Sequence, residues 1–250
     1  LVKEVARQEM PAIAMTDHGN VFGAFDFYKQ AKKNGVKPII GIEAYVAPES
    51  RFEKKRINWG DGGEDDVSGG GAYTHMTILA ENNVGLGNLF RLSSLASLEG
   101  YYYKPRMDRE LLSQYADGLI ATTGCPGGEI QTRLRMGKYR EALRAASDYR
   151  DIFGANNFFL EVMDHQIDIE TRVKADLLKL GKELKLPLLA TNDLHYTHHE
   201  DADAHAALLC VQSGSTLADP KRFKFDNSEF YVKTASQMRE LFKDVPEACD

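Results

Sequence analysis

The sequence has few cysteines, no long apolar run and no excess of basic residues. Its three cysteines are odd in number and widely spaced among 250 residues, which argues against a disulfide framework and fits a reducing cytoplasm. No apolar run approaches the roughly 18 residues that a membrane span requires, so we predict no integral membrane protein. Lys and Arg number 31 against 37 Asp and Glu, a net charge of −6. That balance excludes a strongly basic nucleic-acid coat but leaves room for a local basic patch.

What is present is ordinary globular composition, with 43% hydrophobic and 27% charged residues. This content suffices for one sizeable core, and the length lies between one and two domains of about 150 residues. The sequence begins at Leu1 without a signal-peptide pattern and stops at Asp250 without a helix stop signal, so we expect a fragment of a longer chain. A Gly- and Asp-rich stretch over 59–71 predicts a flexible, exposed insertion.

Short apolar runs recur along the chain, and each is followed by a helical pattern. Six such units in a row predict an α/β fold with a mostly parallel sheet, either open or closed into a barrel. The six runs cover residues 12–15, 38–46, 75–80, 119–123, 158–162 and 186–191. A further strand is predicted over 229–233, before a capping-box pattern at Thr234–Gln237 that opens a last helix.

Polar residues that could carry chemistry lie where these runs end. In α/β folds the reactive groups usually lie where strands end and loops begin. His75 opens its run instead of closing it, so this rule does not place it. The residues that the rule selects are Asp17 and His18 after the first run, Cys125 after the fourth, and Asp193 and His195 after the sixth, with Glu43 inside the second.

These residue types are ligands of zinc and related divalent ions. Asp193 and His195 project to the same face of an extended segment, and Glu43 would be costly in an apolar strand without a partner. A bound metal can generate hydroxide near neutral pH or clamp a phosphate. The alternatives are a turn or helix cap for an Asp-His pair and a small apolar filler for Cys125.

The remaining histidines and one aromatic segment complete the set of candidates. Cys210 is expected to fill the core, and four histidines are interpreted as surface or helix residues: His165, His198, His199 and His205. The segment 100–106 places three tyrosines beside two cations, a composition that suits base stacking and phosphate contacts. It supplies Tyr102, Tyr103, Lys104 and Arg106 as candidate nucleic-acid contacts, and a packed loop is the alternative.

Several ordered motifs together resemble a known family. They are Thr16-Asp17-His18-Gly19-Asn20, Gly41-Ile42-Glu43-Ala44-Tyr45, Leu79-Ala80-Glu81-Asn82-Asn83, Tyr102-Tyr103-Lys104-Pro105-Arg106, Gly124-Cys125-Pro126-Gly127-Gly128-Glu129 and Thr191-Asn192-Asp193-Leu194-His195-Tyr196. Over essentially the whole chain, the sequence resembles the PHP (polymerase and histidinol phosphatase) domains of bacterial DNA polymerase III alpha subunits.

The resemblance implies a distorted (βα)7 TIM-like barrel that carries up to three divalent metal ions, zinc or manganese. It implies that residues 1–225 form a PHP domain lacking its first strand and its His-x-His motif. Residues 226–250 would end that domain and lead toward a polymerase palm region. The family's metal ligands correspond here to His18, Glu43, His75, Cys125, Asp193 and His195, and His75 is a ligand by resemblance alone.

The resemblance also implies a function, which is metal-dependent 3′–5′ exonuclease activity within a replicative DNA polymerase. His18, Asp193 and His195 would be the catalytic residues, and the protein would be cytoplasmic. DNA at a primer terminus, a sliding clamp and a clamp loader would be its partners. One alternative is a catalytically silent metal-binding scaffold, and another is a stand-alone phosphoesterase acting on a small phosphate monoester.

Overall fold

The computed structural model describes residues 1–59 and 68–250. Apolar and β-branched runs form the strands of one sheet, as their composition predicts. The strands are β1 (Ala12–Met15), β2 (Lys37–Val46), β3 (Thr74–Ala80), β4 (Arg106–Met107), β5 (Leu119–Thr122), β6 (Phe158–Val162) and β7 (Leu188–Ala190).

Helices separate most of these strands along the chain. They are α1 (Val2–Arg7), α2 (Ala24–Lys33), α3 (Asn83–Leu98), α4 (Arg109–Gln114), α5 (Glu129–Arg135), α6 (Tyr139–Phe153), α7 (Asp168–Leu184), α8 (Ala202–Ser213) and α9 (Ala235–Leu241). Thr234 and Gln237 form the predicted capping box at the start of α9. None of the helices in the described ranges combines the length and the apolar character needed to cross a membrane.

The sheet is mixed and follows the order β1-β2-β3-β5-β6-β7, with the short β4 paired to β2. The α/β class is confirmed, and the sheet curls into a half-barrel. Strand β3 runs antiparallel to both β2 and β5, whereas the other pairs are parallel. The sequence predicts a mostly parallel sheet and misses this reversal. The start of β3 therefore lies at the edge where its neighbours end.

The main core lies between the sheet and helices α3 to α7. Ile42, Ala44 and Val46 alternate along β2, are almost fully buried and belong to this core cluster. They lie on one face of the strand, as a period of two requires, and the intervening Glu43 and Tyr45 are buried on the other face. Leu89 and Leu92 of α3 belong to the same cluster and are also fully buried. This packing holds the strand ends, and the loops that follow them, in fixed positions.

Two predictions about local structure are wrong. Residues 229–233 do not form a strand: the chain bends at Tyr231, and its backbone bonds to 195–197 are irregular, since Phe230 O accepts from the amides of both His195 and Tyr196. Trp59, predicted in an exposed insertion, is buried, with the Arg133 guanidinium 4.6 Å from its ring centre. Ser68–Gly71 is a short 3-10 helix, and the rest of the predicted insertion, 60–67, lies outside the described residues.

Candidate metal centre

One edge of the sheet gathers the predicted ligands because the chain follows the same local plan after several strands. His18, Cys125 and Asp193 are each the third residue beyond the last residue of a strand, β1, β5 and β7 respectively. The register of β1 on β2 continues past the strand, so that His18 pairs with Glu43 across an isolated bridge. The strand-end rule therefore holds for these residues.

Glu43, His75 and Cys125 form the tightest cluster of ligand-type side chains in the described residues. Their ligand atoms all lie within 4.8 Å of one another. His75 Nδ1 lies 2.8 Å from Glu43 Oε1 and 3.3 Å from Cys125 Sγ, and that sulfur lies 3.3 Å from the same carboxylate oxygen. His75 reaches this edge from the beginning of its strand because β3 is reversed.

The turn that carries Cys125 depends on glycine. Gly124 has φ +76°, a conformation that side chains rarely adopt, and a Cβ there would press on the backbone of His75. After the turn, the Gly128 amide donates to Cys125 O at 2.8 Å and the His75 amide donates to Gly127 O at 3.0 Å. These bonds hold the thiol against the start of β3.

His18 lies on the solvent side of the cluster. Its Nδ1 is 3.5 Å from Glu43 Oε2 and its side chain is half exposed. The Tyr45 ring stacks on it with ring centres 6.0 Å apart and also packs edge-on against His75 at 5.3 Å. Gly19 allows this approach, because a Cβ at that position would lie 2.8 Å from Tyr45. An incoming phosphate could therefore reach His18.

Asp193 and His195 form a second pair, with Asp193 Oδ1 3.4 Å from His195 Nε2. Burial opposes ionisation of Asp193, but the hydrogen bond and charge of His195, together with the charges of His165 and His18, hold its pKa below the usual value. Asp193 is therefore a carboxylate in the neutral range and can serve as an oxygen ligand.

The electrostatics of the centre favour a cation. Burial, together with the negative charges of Glu43 and Asp193, raises the pKa of the Cys125 thiol well above its usual value. Burial also raises the pKa of Glu161 to about 7, against the lowering effect of hydrogen bonds from Thr122 and Thr191, and the charges of Glu43 and Asp193 add to the rise. A divalent cation would relieve this crowding and allow a thiolate. The nitrogen, oxygen and sulfur donors fit such an ion.

Arg106 does not fit the predicted role as a nucleic-acid contact, because it is fully buried. Its guanidinium donates to four backbone carbonyl groups at 2.9–3.2 Å, those of Arg51, Glu53, Ala72 and Gly100. Tyr103 is exposed, whereas Tyr102 and Lys104 are half-buried. Lys104 Nζ lies 5.6 Å from the Tyr45 ring centre, so this segment is next to the metal centre.

One histidine that sequence reasoning assigned to the surface or a helix is instead in the interior. His165 is 1% exposed and bonds to Glu170 of α7. It follows β6 by three residues, as His18 and Asp193 follow β1 and β7, and this spacing is the signal in the sequence that indicates its position. His205 is half-buried, with its ring centre 5.4 Å from that of His195, and Cys210 is buried as predicted.

Comparison with known proteins gives matches along the whole chain. The PHP domain model matches residues 1–165. DNA polymerase III subunit alpha of Saccharopolyspora erythraea is 61% identical over 260 residues, covering 100% of this chain and 22% of that protein. The same subunit from Mycobacterium tuberculosis (strain CDC 1551 / Oshkosh) is 58% identical, covering 100% and 22%. That from Thermus aquaticus is 47% identical, covering 99% and 19%.

Among solved structures, an amidohydrolase from Chromobacterium violaceum aligns with 78% of this chain and 80% of its own, at 13% identity and a TM-score of 0.44. A likeness that low carries no argument about this chain. The chain spans about a fifth of the length of the curated relatives that it matches. With a family model covering 165 of its 250 residues, the chain belongs to the PHP domain family.

Proposed function

We propose that the chain is the PHP segment of a bacterial replicative DNA polymerase and that its metal centre performs 3′–5′ exonucleolytic hydrolysis. The convergence of Glu43, His75 and Cys125 within 4.8 Å carries the proposal. Matches of about 60% identity over the whole of this chain to polymerase III alpha subunits support the identity of the parent protein.

The side chains divide into ligands and groups that meet the substrate. Glu43, His75 and Cys125 would hold one divalent cation, and Asp193 with His195 would hold another. His18 would contribute to cation binding from the solvent-exposed side of the cluster. We propose zinc or manganese, up to three ions in the parent protein. The bound cations supply Lewis acidity and charge for phosphodiester hydrolysis.

The chain's own residues would orient the substrate and manage its protons. His18 is exposed enough to meet a phosphate oxygen or to give a proton to the leaving 3′ oxygen. The neighbouring segment with Tyr102, Tyr103 and Lys104 would stack on the terminal bases and contact the backbone. Partners would be a primer terminus and, through the parent polymerase, a sliding clamp and clamp loader in the cytoplasm.

The test uses the full-length polymerase purified free of other nucleases. The double variant D193N/H195N should lose excision of a mismatched 3′ terminus while retaining primer extension, because the resemblance implies that primer extension depends on the palm region that follows this domain. The variant H199N provides the control, since His199 is exposed and bonds to Ser228 instead of the cluster. Excision that is equal in wild type and D193N/H195N would refute the proposal. A wild type that binds metal without excising would indicate the scaffold function instead.

A further inference from the structure

The loop after β6 contains a buried histidine whose ring is held in one orientation. His165 Nδ1 lies 2.7 Å from Glu170 Oε1, and the His165 amide donates to Glu170 Oε2 at 2.6 Å. The ring stacks on Phe230 with centres 4.2 Å apart and planes only 8° from parallel. The carboxylate and the stacked ring together leave the imidazole little freedom to rotate.

The other ring nitrogen has no partner among the described residues. Because a carboxylate only accepts hydrogen bonds, Nδ1 carries a hydrogen, and in the neutral ring Nε2 presents a lone pair. His165 Nε2 is buried and makes no hydrogen bond with the described residues. A buried polar atom without a partner is destabilising, so this nitrogen is a candidate site for a bound ligand.

The sheet register places His165 beside Asp193. Strands β6 and β7 are parallel and pair Val162 with Ala190. His165 is the third residue after Val162, and Asp193 is the third residue after Ala190. Neighbouring strands are about 4.8 Å apart, and the Thr191 amide donates to Val162 O at 3.1 Å, so the pairing continues past the strands.

Two further observations place the ring near the metal centre. Phe230 contacts His165 on its face and His195 at an edge, with ring centres 4.2 and 6.0 Å away. His165 is also close enough to Asp193 for its protonated form to contribute to the lowered pKa of that carboxyl. The third residue after β1, β5, β6 and β7 is thus a histidine, a cysteine, a histidine and an aspartate, all of them metal-ligand types.

We propose that His165 is a further ligand of the divalent-cation centre, coordinating through Nε2 beside Asp193 and held in position by Glu170. A histidine that binds a metal almost always donates its other ring N–H to a carboxylate, a backbone carbonyl or water. The contact between His165 and Glu170 supplies that second bond. The inference rests on the proposed metal centre and adds one side chain to it.

The experiment measures cation binding by the full-length polymerase, independently of excision. Wild type, H165F and E170Q are stripped with a chelator and titrated with Zn²⁺ or Mn²⁺. Bound metal is counted, and the midpoint of thermal unfolding is recorded with and without the ion. The variant H165F keeps a ring to stack on Phe230 but removes the nitrogen. H199F is the matched control, because His199 is exposed and bonds to Ser228.

We expect H165F to lose one bound cation per chain, or to bind it at least 10-fold more weakly. E170Q should retain the ion with an affinity reduced about 10- to 100-fold. The metal-induced rise in the unfolding midpoint should shrink in both variants and remain in H199F. This rise is a difference within each variant, so it is unaffected by lower stability of the metal-free protein.

Equal metal count and affinity in wild type and H165F would overturn the inference and leave the proposed metal centre intact. A wild type that binds no Zn²⁺ or Mn²⁺ would overturn both. Reduced stability of metal-free H165F with an unchanged metal-induced rise would show that His165 is only a core residue, which also refutes the inference.

Discussion

Replacement of Arg106 by methionine tests the structure at a position where sequence and structure disagree. The guanidinium is fully buried and donates to the backbone carbonyls of Gly100, Ala72, Arg51 and Glu53. Removing it leaves these four acceptors without that donor, and each buried unpaired group costs about 1–3 kcal/mol.

The sum of these four costs overestimates the loss of stability, because the arginine side chain also gives up its solvation when it is buried in the folded protein. Hydrogen bonds to a charged group contribute about 1.5–3 kcal/mol each before this solvation cost is subtracted, so for the four bonds we expect a net loss of about 3–5 kcal/mol. For a domain of this size, 1 kcal/mol corresponds to about 2–4 °C in the unfolding midpoint. We therefore expect R106M to lower the midpoint of the transition that includes this domain by about 10 °C.

The assay pairs calorimetry of the full-length polymerase with the salt dependence of its DNA affinity. R106M should leave the salt slope unchanged, whereas loss of one phosphate contact lowers the slope by about 1. K104M is the matched control, since Lys104 is half-buried and lies over Tyr45. It should lower the free energy of unfolding by less than about 1 kcal/mol. A stable R106M protein with a reduced salt slope would refute the structural role and restore the nucleic-acid contact.

Two further predictions concern stability away from the metal centre. Glu129 is buried and paired with Arg109 and Arg133, each at 2.8 Å. Burial alone would raise its pKa, but the two guanidiniums lower it. The stabilisation is then present above the unfolded-state pKa of about 4.3 and is lost as the pH falls through the lower folded-state value. In urea unfolding, E129Q should be about 3–5 kcal/mol less stable than wild type at pH 7, with the gap narrowing below about pH 4, and a gap independent of pH would contradict this. Asn82 caps α3 by accepting from the amides of Val84 and Gly85 at 2.9 and 3.1 Å. N82A should cost about 1 kcal/mol and N82D much less, so equal losses in the two variants would contradict a capping role for the Asn82 side chain.

The sequence predicts the strand ends better than the direction of the strands. Residues 12–15 and 158–162 match β1 and β6 to the residue, because each is a short, mainly apolar run that begins directly after a turn-type residue, Pro11 or Asn157. The reversal of β3 has no local signal, since strand direction is decided by pairing partners far away in sequence. The strand-end rule therefore does not select His75, which the resemblance to the PHP family identifies as a ligand.

The burial of individual polar side chains is the other property that the sequence does not predict. Arg106 next to tyrosines is a typical nucleic-acid pattern, yet its four carbonyl partners come from three separate segments of the chain. The burial of His165 depends on Glu170 and on Phe230, which is distant in sequence. The segment 229–233 has strand composition, but its backbone bonds to a loop instead of to a sheet edge.

The two edge strands of the sheet are not paired with each other, so cations at the metal centre would affect how the sheet is held together. In the described ranges no pairing joins β1 to β7, the two ends of the strand order. His18 follows β1, and Asp193 and His195 follow β7. Cations bound by these residues would link β1 to β7, the two edge strands of the sheet, as a cross-link closes a long loop of chain. Removing the cations with a chelator would then destabilise the two edge strands first. The rate of amide hydrogen exchange should increase in β1 and β7 before it increases in β5.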